Sequence, residues 1–269
     1  MNRLILLPLL SAAALPLTAQ ISVDFEEASD LDDFSVENGG TQQAAAVGIG
    51  GSGGLNHSDS SMSAGYGLRY TATTFSADSV GFSVDYSIYL YYDADGQSSS
   101  NNSSDRIAGF GLTDSAANAD FGNGAHQHLV SVLVGAPSTG TLEIRTHANG
   151  DTGTTSASDS FAVTDDTWYR VDANFAIASA TQWDVTSTVT DYGSDGLTAG
   201  ATVASSNGSI TFSDAALGTL WAAMTQAEND RTGILAYDNM TVAVPEPSTY
   251  AFLFGLVCLG WIGYRRRSR

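Results

Sequence analysis

Hydrophobic and polar positions alternate with a period of two along much of the chain. Val80, Phe82, Val84, Tyr86, Ile88 and Leu90 interleave with Gly81, Ser83, Asp85, Ser87 and Tyr89, which predicts one long strand with a single buried face. Tyr169, Val171, Ala173, Phe175 and Ile177 repeat the pattern against Arg170, Asp172 and Asn174, and Trp183, Val185 and Val189 give a third case. Weaker runs predict strands at Ile21–Phe25, Tyr66–Ala72, Ile107–Leu112, Leu129–Val134, Thr141–Thr146, Ser209–Phe212 and Ile234–Val242. No convincing amphipathic helix lies between Ile21 and Ala243, and Pro137 is the sole proline there. Strands without helices must bury their apolar faces on each other, so the pattern predicts two packed antiparallel sheets. Polar stretches at Gly39–Ser63, Asp93–Asp105, Thr113–Gly124 and Asn149–Ser160 read as long surface loops, and no repeat of fixed period occurs.

The two ends depart from this pattern. Residues 1–19 carry Arg3, an apolar run from Leu4 to Leu17 and a small residue, Ala19, which is the arrangement of a secretory signal peptide. Pro8 and Pro16 argue against a buried core helix there. At the other end, the apolar residues 250–264 would rise roughly 22 Å as a helix, a thin membrane span flanked by Tyr250 and Tyr264. The basic cluster after it orients the body to the outside. Cys258, the sole cysteine, lies in this span, so the exported body has no disulfide.

Pro245-Glu246-Pro247, the apolar span and the terminal Arg265, Arg266, Arg267 and Arg269 together resemble the PEP-CTERM sorting signal of Gram-negative bacteria that make exopolysaccharide. The resemblance implies that exosortase, a membrane protease-transpeptidase, recognises Pro245-Glu246-Pro247 and removes the anchor. The body would then pass to the cell surface or the polysaccharide matrix. The expected organisation is a signal peptide at 1–19, a β-sandwich at 20–243, and a sorting signal at 244–269 with its transmembrane helix at 250–264.

Charge excludes one class of partner. Of 29 acids only Glu246 lies in the tail, which leaves 28 in the body against five basic residues, all arginine, or about −23 at neutral pH. Such a surface repels nucleic acid and anionic lipid.

Asp166-Thr167-Trp168-Tyr169-Arg170-Val171, the strand at 185–189 and Asp195-Gly196 resemble the centre of concanavalin A-like, laminin-G-like jelly rolls. Ala236–Val242 resembles the last strand of secreted sandwich modules, with Asp24-Phe25-Glu26 as the matching first strand. The resemblance implies an all-β, two-sheet antiparallel jelly-roll sandwich; several members of that superfamily bind glycans and calcium.

Calcium is the cofactor best suited to these residues, because hard oxygen ligands abound. Asp93-Ala94-Asp95-Gly96 opens like a calcium loop but lacks a Glu at the twelfth position, so a solvated acidic hairpin remains open. Asp24 and Glu26 near the first strand, with Asp238 near the last, form a second candidate; edge-strand carboxylates are its alternative. His126 and His128 share a strand face, yet two imidazoles alone do not make a site. Glycan hydrolysis needs paired carboxylates, and the usual Glu-x-Asp-x-x-Glu strand motif is absent. Glu143 reads as a cross-strand partner, and no nucleophile elbow or phosphate loop is present. For glycan binding, Tyr89 and Tyr91 project from the face opposite the buried set of their strand, and Trp168 opposes Tyr169 and Val171. The expected function is therefore non-catalytic, a carbohydrate-associated binding or structural module of the exopolysaccharide layer. The alternatives are a carbohydrate-active enzyme with an atypical carboxylate pair and a spacer without a specific ligand.

Overall fold

The structure is a computed structural model, and it describes residues 19–37, 42–44, 46–56, 66–93, 106–114, 128–134, 140–148, 155–212, 218–226 and 234–244. In chain order the strands are β1 (Ala19–Val23), β2 (Phe34–Glu37), β3 (Gln42–Ala44), β4 (Gly54–Asn56), β5 (Tyr66–Tyr70), β6 (Phe75–Ala77), β7 (Ser83–Tyr92) and β8 (Arg106–Thr113). They continue with β9 (His128–Val134), β10 (Thr141–Ala148), β11 (Thr155–Ala162), β12 (Thr167–Ser179), β13 (Gln182–Asp191), β14 (Thr202–Thr211), β15 (Gly218–Gln226) and β16 (Ile234–Val244). Short 3-10 turns at Ala28–Asp33 and Ile49–Gly51 are the helical elements among the described residues.

The strands form two sheets. One runs β14-β13-β12-β7-β16-β4-β3, with β1 added beside β16; the other runs β11-β10-β9-β8-β15-β5-β2, with β6 beside β15. The pairings within them are antiparallel, as the alternation pattern predicts. Gln20–Val244 make up one compact unit.

Alternation sets the core. Val84, Tyr86, Ile88, Leu90 and Tyr92 of β7, with Tyr169, Val171, Ala173, Phe175 and Ile177 of β12, turn inward and are buried. Phe110 and Leu112 of β8 and Leu220, Ala222 and Met224 of β15 are buried core residues of the second sheet. Fully burying one large apolar side chain contributes roughly 1.5–3 kcal/mol, so these two faces together supply the main stabilisation of a chain without disulfides in its body. On one side the sheets are tied edge to edge, where Ser205 N–H donates to Asp159 Oδ2 (2.9 Å) and the Thr146 and Ser206 hydroxyls meet at 3.0 Å.

The structure corrects the sequence reading: β2 and β6 appear where no strand is expected, β14 begins at Thr202 and not Ser209, and three further differences have clear causes. Val80 is not the first buried residue of β7; it lies in a turn, 62% exposed, and the strand begins at Ser83 after Gly81 takes a positive φ of 92°. The polar stretches Gly39–Ser63 and Asn149–Ser160 are not wholly loop, because β3, β4 and most of β11 fall within them. Their backbone pairs with a neighbouring strand regardless of how polar the side chains are. β15 was also not expected, since alanines and a glycine dilute its alternating Leu220, Ala222 and Met224.

Among the described residues no helix is long and apolar enough to cross a membrane. Residues 1–18 of the leader and 245–269 of the sorting signal, with Pro245, Glu246, Pro247, Arg265, Arg266, Arg267 and the 250–264 span, lie outside the described residues, as do Asp95 and His126.

Candidate functional site

The outward positions of β13, β12, β7 and β16 line up in rows across the first sheet. Thr186, Asn174, Asp85 and Ala243 make one row, and Thr188, Asp172, Ser87 and Thr241 the next. Thr190, Arg170, Tyr89 and Asp238 make a third; Trp168, Tyr91 and Ala236 belong to a fourth. The first two rows, with Arg170, line a groove of about 380 Å³.

The groove is polar and held by its own hydrogen bonds. Asn174 Nδ2 donates to Asp85 Oδ1 at 2.7 Å, Arg170 Nη2 meets Asp172 Oδ1 at 2.7 Å, and the Ser87 and Thr241 hydroxyls lie 2.7 Å apart. Burial pushes the Asp172 carboxyl above its ordinary range; Arg170 counters this, while the negative charge of Asp85 adds to it. For Arg170 burial acts to lower the value, but Asp172, Tyr192 and Tyr89 outweigh it and hold the guanidinium firmly charged. Asp85 and Asp172 sit on adjacent strands at diagonal positions, a relation that places such residues about 7–8 Å apart.

The third and fourth rows are covered at Asp238 and Trp168. Asp238 is 1% exposed: its Oδ2 accepts from Ile49 N–H (2.8 Å) and Ser52 Oγ (3.3 Å), and its Oδ1 accepts from Asn239 N–H (2.7 Å). Glu26 Oε2 accepts from Gly53 N–H at 2.9 Å, so two carboxylates clamp the Gly48–Gly53 loop onto the sheet. Burial raises the Asp238 carboxyl to about 6; the three hydrogen bonds oppose the rise and neighbouring Glu26 reinforces it. A second turn, at 193–197, follows a segment bound to the Trp168 backbone, whose N–H donates to Gly193 O and whose C=O accepts from Tyr192 N–H. Gly196 in that turn has a φ of 71° and lies so close that a Cβ would meet Ile49 at 2.9 Å and Trp168 at 3.1 Å.

The three aromatic candidates thus have different surroundings. Trp168 is 3% exposed and does not offer a ring face, because the two turns close over it. Tyr91 is half-buried, its ring 5.2 Å from Trp168 and its hydroxyl donating to Asp166 Oδ1 at 3.0 Å. Tyr89 is also half-buried, with Arg170 Cζ 5.6 Å over its ring and the Tyr192 ring edge-on at 4.9 Å. Burial pushes both phenols up to about 12; Asp166 adds to the rise at Tyr91, while at Tyr89 Tyr192 adds to it and Arg170 opposes it.

The carboxylate candidates regroup as well. Asp24, Glu26 and Asp238 form no ligand cluster; Asp24 Oδ1 accepts from Glu26 N–H at 3.4 Å, and the other two hold the loop. Asp93 instead gathers with Asp165 and Asp166, one carboxylate oxygen from each lying within 4.8 Å of the others. Oxygens within that distance of one another can all reach a single ion at about 2.4 Å, and hard oxygens are the donors calcium takes. Glu143 makes a two-point ion pair with Arg145 (2.9 Å each), which holds its carboxyl below the ordinary range. His128 begins β9 opposite Thr113.

Sequence reasoning passed over Asp85, Asp172, Asn174, Arg170, Ser87 and Thr241. Their signal was present as the outward half of the same alternation, but outward polar residues are the default for any half-buried strand. Asp165 and Asp166 were likewise hidden, because the topology and not their spacing brings them to Asp93.

Residues 243–267 match the family model described as the PEP-CTERM protein-sorting motif. This chain carries that sorting motif. The motif implies export, in agreement with the expectation from Pro245-Glu246-Pro247 and the terminal arginines. Among curated proteins, none matches the chain by sequence. In structure the chain is similar to winged bean acidic lectin complexed with methyl-α-D-galactose, with a TM-score of 0.53 at 7% identity, covering 85% of this chain and 98% of that one. It is also similar to peanut lectin with a nine-residue peptide (TM-score 0.50, 8% identity, 84% and 96% covered). A third similar structure is the carbohydrate recognition domain of Emp46p in its metal-free form (TM-score 0.50, 8% identity, 83% and 94% covered). At such identities the likeness establishes the fold, a concanavalin A-like jelly roll.

Proposed function

We propose that this chain is a cell-surface or matrix protein that binds exopolysaccharide without cleaving it, after sorting and release of its tail by exosortase. The groove on the first sheet carries the reading: an open channel of about 380 Å³ lined by carboxylates, an amide, hydroxyls and a guanidinium, the groups that exchange hydrogen bonds with sugar hydroxyls. The lectin-like fold and the sorting motif support it. Tyr89 acts at the groove's rim, where it fixes Arg170, and Tyr91 holds Asp166 beside the covered Trp168. Calcium is the proposed structural ion, held by Asp93, Asp165 and Asp166; neutralising three carboxylates would fix the Asp165–Asp166 turn that Tyr91 touches.

One observation favours a second reading, a glycan-cleaving enzyme. Asp85 and Asp172 share the groove at diagonal positions of adjacent strands, an arrangement that presents two carboxyl groups to one ligand. Against it, Asp172 is ion-paired to Arg170 and Asp85 is bonded to Asn174, and a proton donor must be free to give up and regain its proton.

The experiment is binding of the purified protein to a panel of bacterial exopolysaccharides, with millimolar calcium and with chelator, while polymer length is followed. Saturable binding at constant polymer length is expected, weakened by chelator. Shortening of the polymer would replace this reading with the enzymatic one, and absence of binding throughout would leave a spacer.

A further inference from the structure

The groove's composition also bears on which glycan it takes, an inference that rests on the binding reading above. Its hydroxyls and amide can both donate and accept, but the charged acceptors among its lining groups are two carboxylates. Asp85 and Asp172 each engage one carboxylate oxygen, with Asn174 and Arg170 respectively, and each keeps a second. The Ser87 and Thr241 hydroxyls share one hydrogen bond, so one of the two keeps its proton for a ligand. Arg170, the sole cation lining the groove, is already committed: Nη2 to Asp172, Nη1 to the Tyr192 hydroxyl at 3.5 Å, and its face to Tyr89. Its Nε is buried without a partner, out of reach of anything in solution.

Two carboxylates against one guanidinium leave the groove with a net negative charge, in a chain whose formal charge is −19. The two acids already act on one another, since Asp85 makes ionisation of Asp172 harder. A ligand carboxylate or sulfate would bring a third negative charge to a surface that is already negative. A hydroxyl, in contrast, donates to a carboxylate in a charge-assisted bond, roughly twice as strong as a neutral one.

We propose that the groove selects neutral, hydroxyl-rich glycan and excludes polyuronate and sulfated polymer, with Asp85 and Asp172 as the selecting residues. The loop-covered rows beside it are not part of this filter.

The test uses the full chain in detergent micelles, at pH 7 with chelator, so that no calcium bridges an acidic polymer to the protein. Dextran, galactan and mannan serve as neutral probes, with polygalacturonate and alginate of matched length as acidic ones. A neutral probe is expected to bind at least tenfold more tightly than either acidic one. The Asp85→Asn/Asp172→Asn double variant, which leaves Arg170 without its counter-ion, is expected to lose affinity for that neutral probe and to close the gap to within about threefold. Circular dichroism and a thermal melt establish that the variant is folded. Equal or tighter binding of an acidic probe by the unaltered protein overturns the selectivity while leaving the groove as the site. A gap that persists in the folded double variant removes Asp85 and Asp172 as its cause, and no binding to any probe sinks the groove reading together with the selectivity.

Discussion

The outer face of the first sheet has two ends made from the same four strands with the same alternation, and they have different fates. At one end, Asp85, Ser87, Asp172, Asn174 and Thr241 line a groove open to solvent. At the other, Asp238 and Trp168 occupy equivalent outward positions and are 1% and 3% exposed, because the Gly48–Gly53 loop and the 193–197 turn lie over them. Period two reports which way a side chain points relative to its own sheet. Whether anything covers that side is decided by loops distant in sequence, here by a carboxylate that bonds residues 189 and 186 positions away. The covered end is therefore a second, polar layer of packing, and the open end is the surface left for a ligand.

This contrast breaks most sharply at Gly48, where a Cβ would collide with the backbone carbonyl of Gly53 and crowd Asp238 Oδ2 at 2.8 Å. Backbone cannot yield as a side chain does, so Gly48→Ala is expected to lower stability by about 3 kcal/mol or more in urea unfolding. A loss under about 1 kcal/mol would mean the loop is not anchored to the covered end.

Asp238 gives a smaller effect with a definite sign. Its carboxyl binds a proton more tightly in the folded chain, at about 6, than at the ordinary 3.8, so its contribution is most favourable at low pH and is lost as pH rises through 6. Relative to Asp238→Asn, which cannot titrate, the unaltered protein should lose about 3 kcal/mol between pH 3.5 and pH 7. Parallel stability profiles for the two proteins would show that Asp238 is solvated.

Gly196→Ala comes next. Its φ of 71° disfavours any side chain, yet the atoms a Cβ would meet belong to the movable side chains of Ile49 and Trp168. A cost of about 1–2 kcal/mol is expected, with a change in Trp fluorescence as the indole shifts. The smallest effect belongs to the open end. Asp85→Asn should change stability by no more than about 0.5 kcal/mol while weakening glycan binding, the reverse of the pattern at Gly48. A large stability loss there would make Asp85 a packing residue and erase the distinction between the two ends.

Much of this was legible along the chain. The inward sets were read correctly for Phe82 and for Val84 to Leu90 of β7, for β12, and for Trp183, Val185 and Val189 of β13, and the strands at 21–25, 107–112, 129–134 and 141–146 were located to within a few positions. β3, β4 and β11 were not, because short strands of small polar residues have no apolar face to reveal them. Tyr89 and Tyr91 were correctly assigned to the outward side. Their occupation by Arg170, Tyr192, Asp166 and Trp168 was not legible, since those partners come from a strand, a turn and a loop some 75 to 100 residues further on.

Sequence by itself determined the class of the molecule: alternation demands sheets that bury one face, 28 acids against five arginines set the character of the body, and the terminal motif marks it for sorting. These are local or additive properties, readable without knowing which residues meet. Tertiary structure alone decided the site. Register set Asp85 beside Asn174 and Asp172 beside Ser87, topology carried Asp165 and Asp166 to Asp93, and loop placement buried Trp168 while leaving the groove open. A ligand surface depends on which groups remain uncovered once distant segments have packed, and that is a property of pairs that no single stretch of chain contains.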